Sequence, residues 1–209
     1  MLTIRLADTQ AAEAVSRACE IIRSGGIVAF PTETFYALGV RFDDHSALAR
    51  LYELKQRPYE KALPLIAGDI ARLLKAASSI DPAAEKLINR FWPGPLTILF
   101  PALPSVSDYI TGGTGRVAIR VPGKSFALDL AQSLSLPLTA TSANISGRAP
   151  AGTASDITGY FGDSIDLMID GGATPGGLPS TIVDVSGPAV KVLREGAIST
   201  EEILRTISL

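Results

Sequence analysis

The run GGIVAFPTETFYALG, residues 25–39, passes from a helix ending through a buried strand to a polar turn. Gly25-Gly26 stops the helix before it. Ile27-Val28-Ala29-Phe30 is a short apolar run of the kind a sheet buries on both faces, and Pro31 closes it. Thr32, Glu33 and Thr34 then turn the chain with two hydroxyls and a carboxylate before apolar residues resume. Upstream, Asp8 or Thr9 is placed to cap a helix whose Ala11, Ala14, Val15, Ala18, Ile21 and Ile22 share one face, and Leu2–Leu6 alternates like an edge strand. Strand, helix and strand give the opening a βαβ-like rhythm.

Downstream, the spacing predicts a helix over 46–55 with Leu48, Leu51 and Tyr52 inward, a strand near 63–66, and helical stretches around 69–77 and 82–91, the second begun by Asp81-Pro82. Strands follow at 96–100 and 116–121, a helix over 125–135, and a strand at 138–140. Late strands at 167–169, 181–185 and 190–193 alternate with glycine-rich turns, and Ser199 with Glu202 reads as the capping box of a last helix. Those strands lie too close together for crossover helices, so the fold expected is α/β (α+β) with strands running in both directions. The chain of 209 residues reads as a single domain over 1–209. Pro101–Gly115 is its longest irregular stretch, readable as a surface loop or as a flap over a site.

Composition narrows the chemistry. Hydrophobic residues make up 46% and charged residues 19%, enough to build a real core, while 19 Lys and Arg against 21 Asp and Glu give a net charge of −2. No protein-wide positive field draws in nucleic acid or an anionic membrane, so an anion site has to be local. With one cysteine, Cys19, and one histidine, His45, there is no internal disulfide and no Cys/His zinc site. Cys19 reads as a partly buried structural thiol and His45 as a solvated side chain at a helix start. The first residues lack a basic region followed by an apolar core, and no stretch approaches the ~20 apolar residues that span a bilayer, so a cytoplasmic protein without membrane contact is expected.

Familiar motifs fail on inspection. Gly123-Lys124-Ser125 would need a glycine where Ala118 stands to be a phosphate loop. Gly113–Ala118 matches the dinucleotide pattern by letters but leads into a strand, not a helix. No G-x-S-x-G accompanies the single histidine, which excludes a Ser-His-Asp hydrolase of that type.

What remains are four polar clusters at the ends of predicted strands, where open α/β sheets place ligands. The first is the Thr32–Thr34 turn. The second is Lys55, Arg57 and Lys61 where a helix ends, a grouping able to hold a polyphosphate, arginine by its fork and lysine as a point charge. The third joins Arg120 to Thr139, Thr141, Ser142, Asn144 and Ser146, polar groups that begin inside an apolar strand and need partners if buried. The fourth is Ser180-Thr181 with Arg194, which emerges from the apolar Val190, Val192 and Leu193 and calls for an anion.

The blocks PTETFYALG (31–39), LKQRP (54–58), AIRVP (118–122), TSANISG (141–147), STIVD (180–184) and LREG (193–196) resemble, in order and spacing, the YrdC/TsaC family of L-threonylcarbamoyladenylate synthases, over about residues 10 to 198. The resemblance implies a YrdC-like fold, a twisted mixed β-sheet with flanking helices around an open basic cavity, in the short single-domain form. It implies a nucleotidyltransferase that converts ATP, L-threonine and bicarbonate into threonylcarbamoyl-AMP and pyrophosphate. A downstream tRNA threonylcarbamoyl transferase complex would receive the product for modification of tRNA adenosine. Carried over by position, Thr32, Arg120 and Ser180 would bind L-threonine. Tyr36, Lys55, Arg57, Thr141, Ser142, Asn144, Pro150 and Arg194 would hold the nucleotide, with Lys55 and Arg57 as the catalytic cations.

Mg2+ would arrive with ATP, and no tightly bound cofactor or dedicated metal site is implied. Two positions depart from the family pattern. Ala37 stands where glycine is common, as in the YciO-like branch of unknown substrate, and Ala62–Ile66 lacks the histidine of longer relatives. A second reading of the same family is an RNA-binding protein of tRNA or ribosome maturation, with weak tRNA or double-stranded RNA binding. The net charge and the lack of aromatics interleaved with Arg and Lys weigh against it as the main role.

Overall fold

The computed structural model describes residues 1–187 and 189–208. The chain opens with β1 (Leu2–Arg5) and α1 (Ala11–Arg23), which buries Ala14, Val15, Ala18, Cys19 and Ile22. This helix starts later than expected. Its N-cap is Gln10 with no side-chain bond, because Asp8 N–H closes a turn onto the Arg5 carbonyl and neither Asp8 nor Thr9 reaches the helix end. β2 (Val28–Pro31) and β3 (Tyr36–Gly39) then form an antiparallel hairpin, Phe30 opposite Ala37 and Pro31 opposite Tyr36.

α2 (His45–Lys55), capped by Asp44, leads to β4 (Leu65–Ile66). The helix expected over 69–77 is only the short α3 (Ile70–Leu73), followed by turns, whereas α4 (Pro82–Phe91) forms as read, with the Asp81 carboxylate accepting from Ala83 N–H. β5 (Leu96–Pro101), α5 (Asp108–Thr111), β6 (Arg116–Arg120), α6 (Phe126–Ser133), β7 (Leu138–Thr139) and β8 (Thr141–Ser142) follow. Sequence reading left the next helix, α7 (Ala154–Phe161), unassigned, although Thr153 and Asp156 form its capping box. β9 (Leu167–Asp170), β10 (Thr181–Asp184), β11 (Lys191–Arg194) and α8 (Thr200–Ser208) complete the chain.

The strands divide between two mixed sheets, ordered β1-β9-β2-β3-β8 and β11-β10-β5-β6-β4-β7. The division falls at the end of the strand predicted over 138–140. Leu138–Thr139 pairs with β4, and two residues later Thr141–Ser142 pairs with β3. Between them Ala140 N–H donates to the Pro64 carbonyl, and Thr139 exchanges bonds with Val40: its N–H to the Val40 carbonyl and its Oγ1 from the Val40 N–H. One polar segment therefore stitches the two sheets edge to edge. Apolar side chains of both sheets share each of the two main clusters: Ile66 and Leu138 pack with Val28 and Phe30, and Leu65 and Ile119 with Ala29 and Leu38.

Pro101–Gly115 is tied down along its length. Ala102 bridges to Ala77, Leu103 N–H donates to the Ala76 carbonyl, and Ser107 caps α5. None of it lines the cleft described below, so the flap reading is set aside. Among the described residues no helix is long and apolar enough to cross a membrane.

Candidate functional site

Where the hairpin turn after β2, the ends of β4 and β6, the start of β8 and the lead into β10 come together, the sheets leave a cleft of about 250 Å3. Thr32, Tyr36, Arg57, Arg120, Thr141, Ser142, Ser180 and Arg194 all line it, although the sequence spreads them over 163 positions from Thr32 to Arg194. A larger depression of about 640 Å3 between β1 and α7 holds none of these residues and brings a single arginine, Arg5, beside Asp8 and Asp170.

Each arginine reaches the cleft for a local reason. At the end of α2, Gln56 adopts the left-handed region with φ of 49°, which turns the chain sharply. The guanidinium of Arg57 is then held by the Lys61 carbonyl (Nε, 2.9 Å) and the Ala62 carbonyl (Nη2, 2.8 Å). That loop is in turn fixed by Tyr52, whose hydroxyl lies 2.7 Å from the Lys61 carbonyl and whose ring stacks on Tyr59. Arg194 on β11 donates to the Ser180 carbonyl through Nε and Nη2 and to Ser180 Oγ at 3.2 Å. Gly196 allows this approach, since a Cβ there would stand 2.0 Å from the Pro179 carbonyl oxygen. Arg120, at the end of β6, pairs with Glu33 at the hairpin turn. Burial lowers the pKa of Arg57 and Arg194, the latter also through the charge of Arg120, yet guanidiniums stay protonated in proteins.

Hydroxyls fill the spaces between these cations. Thr32 Oγ1 accepts from the Thr34 and Phe35 amides and donates to the Phe35 carbonyl, which sets the shape of the turn carrying Glu33. Ser180 Oγ and Thr97 Oγ1 lie 2.9 Å apart. Tyr36 borders the cleft, but its hydroxyl is committed to the backbone, donating to the Gly172 carbonyl and accepting from Gly171 N–H.

Three expected residues do not line the cleft. Lys55 is 1% exposed, and its ammonium donates to the Ser142 carbonyl (2.5 Å), the Asn144 carbonyl (2.8 Å) and Asn144 Oδ1 (3.3 Å). A buried cation needs acceptors, and the underside of the 142–146 loop supplies three for its three protons. Burial, with a smaller effect from the charge of Arg57, brings the Lys55 pKa down to about 7. Lys55 is thus a loop anchor in this geometry rather than an exposed phosphate clamp. Asn144 is likewise buried, its amide donating to the Arg148 carbonyl while Oδ1 also accepts from Ser142 Oγ. Pro150 is exposed beyond the loop.

Sequence reading overlooked Thr97 and assigned no role to Glu33. Thr97 did carry a signal: a lone hydroxyl inside the apolar run Leu96–Phe100 wants a buried partner. His45 is exposed at the start of α2, as expected, and the Cys19 thiol is buried, its pKa raised by that burial. Among the described residues no cluster of three or more His, Cys, Asp or Glu is arranged to hold a metal ion.

The family model Sua5/YciO/YrdC, described as "Telomere recombination", matches residues 20–196. A protein of Pyrococcus abyssi (strain GE5 / Orsay) named "Threonylcarbamoyl-AMP synthase" is 40% identical over 190 residues, which cover 91% of this chain and 56% of that protein. The chain spans about half the length of the curated relatives it matches. Among solved structures, P. abyssi Sua5 complexed with L-threonine aligns with a TM-score of 0.90 and 37% identity, over 99% of this chain and 60% of that one. E. coli YciO aligns with a TM-score of 0.83 and 26% identity over 97% and 98% of the two chains.

Proposed function

The chain belongs to the Sua5/YciO/YrdC family, and from that premise we propose that it is a threonylcarbamoyl-AMP synthase. Its substrates would be L-threonine, bicarbonate and Mg–ATP, and its products threonylcarbamoyl-AMP and pyrophosphate. The observation that carries the reading is the meeting of Arg57, Arg120 and Arg194 with the hydroxyls of Thr32, Ser142 and Ser180 in one cleft.

Such a set suits a reaction in which two anions must approach each other. The amine of L-threonine takes up bicarbonate with loss of water to give a carbamate. A carbamate oxygen then attacks the α-phosphorus, and the bond to pyrophosphate breaks. Neither step requires a protein nucleophile; what the protein supplies is proximity and fixed positive charge around phosphate oxygens. Arg120, Ser180 and Thr32 receive the amino acid, with Arg120 on its carboxylate. Arg57, Arg194 and Ser142 face the phosphates, and Tyr36 and Thr141 form the wall. Lys55 and Asn144 shape the loop that presents Ser142, so their effect on catalysis is one of position. Mg2+ enters on the nucleotide as part of the substrate and adds charge there. The product leaves for a tRNA-modifying transferase in the cytoplasm.

Pyrophosphate release by the purified protein, measured with Mg–ATP and bicarbonate in the presence and absence of L-threonine, tests the reading. Release that depends strictly on L-threonine is expected. Release indifferent to the amino acid, or none at all, overturns it. The second outcome would favour a YciO-like role, which Ala37 and the full-length match to E. coli YciO single out as the alternative.

A further inference from the structure

Glu33 sits in the four-residue turn between β2 and β3, where one carboxylate oxygen, Oε1, accepts from Nη1 of Arg120. The pair is largely shielded, the Arg120 and Glu33 side chains being 13% and 22% exposed. The other oxygen, Oε2, is sealed from solvent and accepts no hydrogen bond among the described residues. We propose that Glu33 is an affinity-setting residue, an internal carboxylate that competes with the carboxylate of the amino acid for Arg120 and so tunes how tightly that substrate is held. This rests on the assignment of Arg120 to the substrate carboxylate.

Three features support the competition. First, Arg120 makes one hydrogen bond through its guanidinium among the described residues, to Glu33, so further donors of the fork remain on a side chain that lines the cleft. An arriving carboxylate either shares the guanidinium or takes it over, and in both cases it meets the negative charge of Glu33. Second, the ion pair is only half satisfied. A bidentate pair would engage both carboxylate oxygens, whereas Oε2 is buried without a donor, so Glu33 gives up less on release than a fully bonded partner would. Third, release need not unravel the turn, because Thr32 Oγ1 fixes the backbone on both sides of the exchange, through the Thr34 and Phe35 amides and the Phe35 carbonyl. Exchange is therefore a side-chain rotation. The remaining cations, Arg57 and Arg194, are held by backbone carbonyls, so Glu33 opposes the amino acid more than the nucleotide.

Titration calorimetry of L-threonine into the wild type, Glu33→Gln and Glu33→Ala tests this, with the alanine variant reporting should the glutamine variant fail to fold. Both variants bind L-threonine roughly three- to tenfold tighter, the scale of one partly screened like-charge repulsion. The apparent KM for L-threonine falls in parallel, and that for ATP moves by less. L-Threonine methyl ester, which lacks the carboxylate charge, shows no such gain. A turn damaged by the substitution would weaken binding, so the sign of the change separates the two roles. Unchanged or weaker L-threonine binding by the variants, against a wild type that binds it, overturns the competition and leaves the proposed activity standing. Failure of all three proteins to bind L-threonine overturns the activity as well.

Discussion

Lys55 and Arg120 are both cations in largely buried surroundings, within one motif set, and the chain treats them in opposite ways. Lys55 has three acceptors for three protons, all from the segment 142–144, and contributes nothing to the cleft wall. Arg120 lines the cleft and, among the described residues, is matched to a single side chain whose second oxygen has no donor. A charge whose hydrogen bonds are complete is part of the scaffold, because any exchange would cost it as much as it returned. A charge met halfway is available for other partners. The contrast separates groups that shape a site from groups that meet a ligand, and motif membership does not make that distinction.

The largest effect that would break this contrast concerns Lys55. Lys55→Ala strands the buried Asn144 carbonyl and leaves the Ser142 carbonyl and Asn144 Oδ1 with one donor each, and should cost roughly 1–3 kcal/mol in urea-monitored unfolding. A loss under about 0.5 kcal/mol would mean that the loop does not depend on the lysine. Next comes Arg120→Ala, which should raise the apparent KM for L-threonine roughly tenfold to a hundredfold and the KM for ATP by less, the scale of a lost charge-assisted bond. Were ATP use to suffer more, Arg120 would belong with the phosphates.

Arg57→Ala and Arg194→Ala should show the converse preference, weakening ATP use by about 1.5–3 kcal/mol each in kcat/KM. Lys55 also makes a pH prediction. Its pKa in the folded protein, about 7, lies below the unfolded value of 10.5, so between these limits the unfolded chain holds more protons and stability rises with pH. From pH 7 to pH 9 the gain should reach about 2 kcal/mol at most, and Lys55→Met should abolish it. A flat profile in the wild type would show the ammonium to be fully compensated by its three carbonyl contacts. The smallest effect lies outside the cleft lining: Thr153→Ala removes the cap of α7 and should cost about 1 kcal/mol of stability with kcat/KM intact.

The sequence alone made the strand ends and the cationic and hydroxyl clusters legible, because apolar runs, caps and glycine turns are local signals. Eight of the named site residues do line one cleft. The destination of Lys55 was not legible, since its acceptors lie 87 and 89 positions away and spacing along the chain says nothing about which side of a loop an ammonium meets. Nor was the division into two sheets, because 138–140 reads as one short strand, and nothing local marks Thr141–Ser142 as a second until Val40 and Pro64 claim the backbone groups before it. Glu33 has no local signal that sets it apart within its motif, because its importance lies in one oxygen that is bonded and one that, among the described residues, is not.

The crossing at Ala140 carries a mechanical consequence. Ser142 belongs to one sheet and Arg120 to the other, so anything gripping both acts as a clasp across a seam. Occupancy of the seam and the angle between the sheets then become linked quantities: a substrate that spans it stiffens the joint, and a tilt of either sheet changes how widely the jaws stand apart.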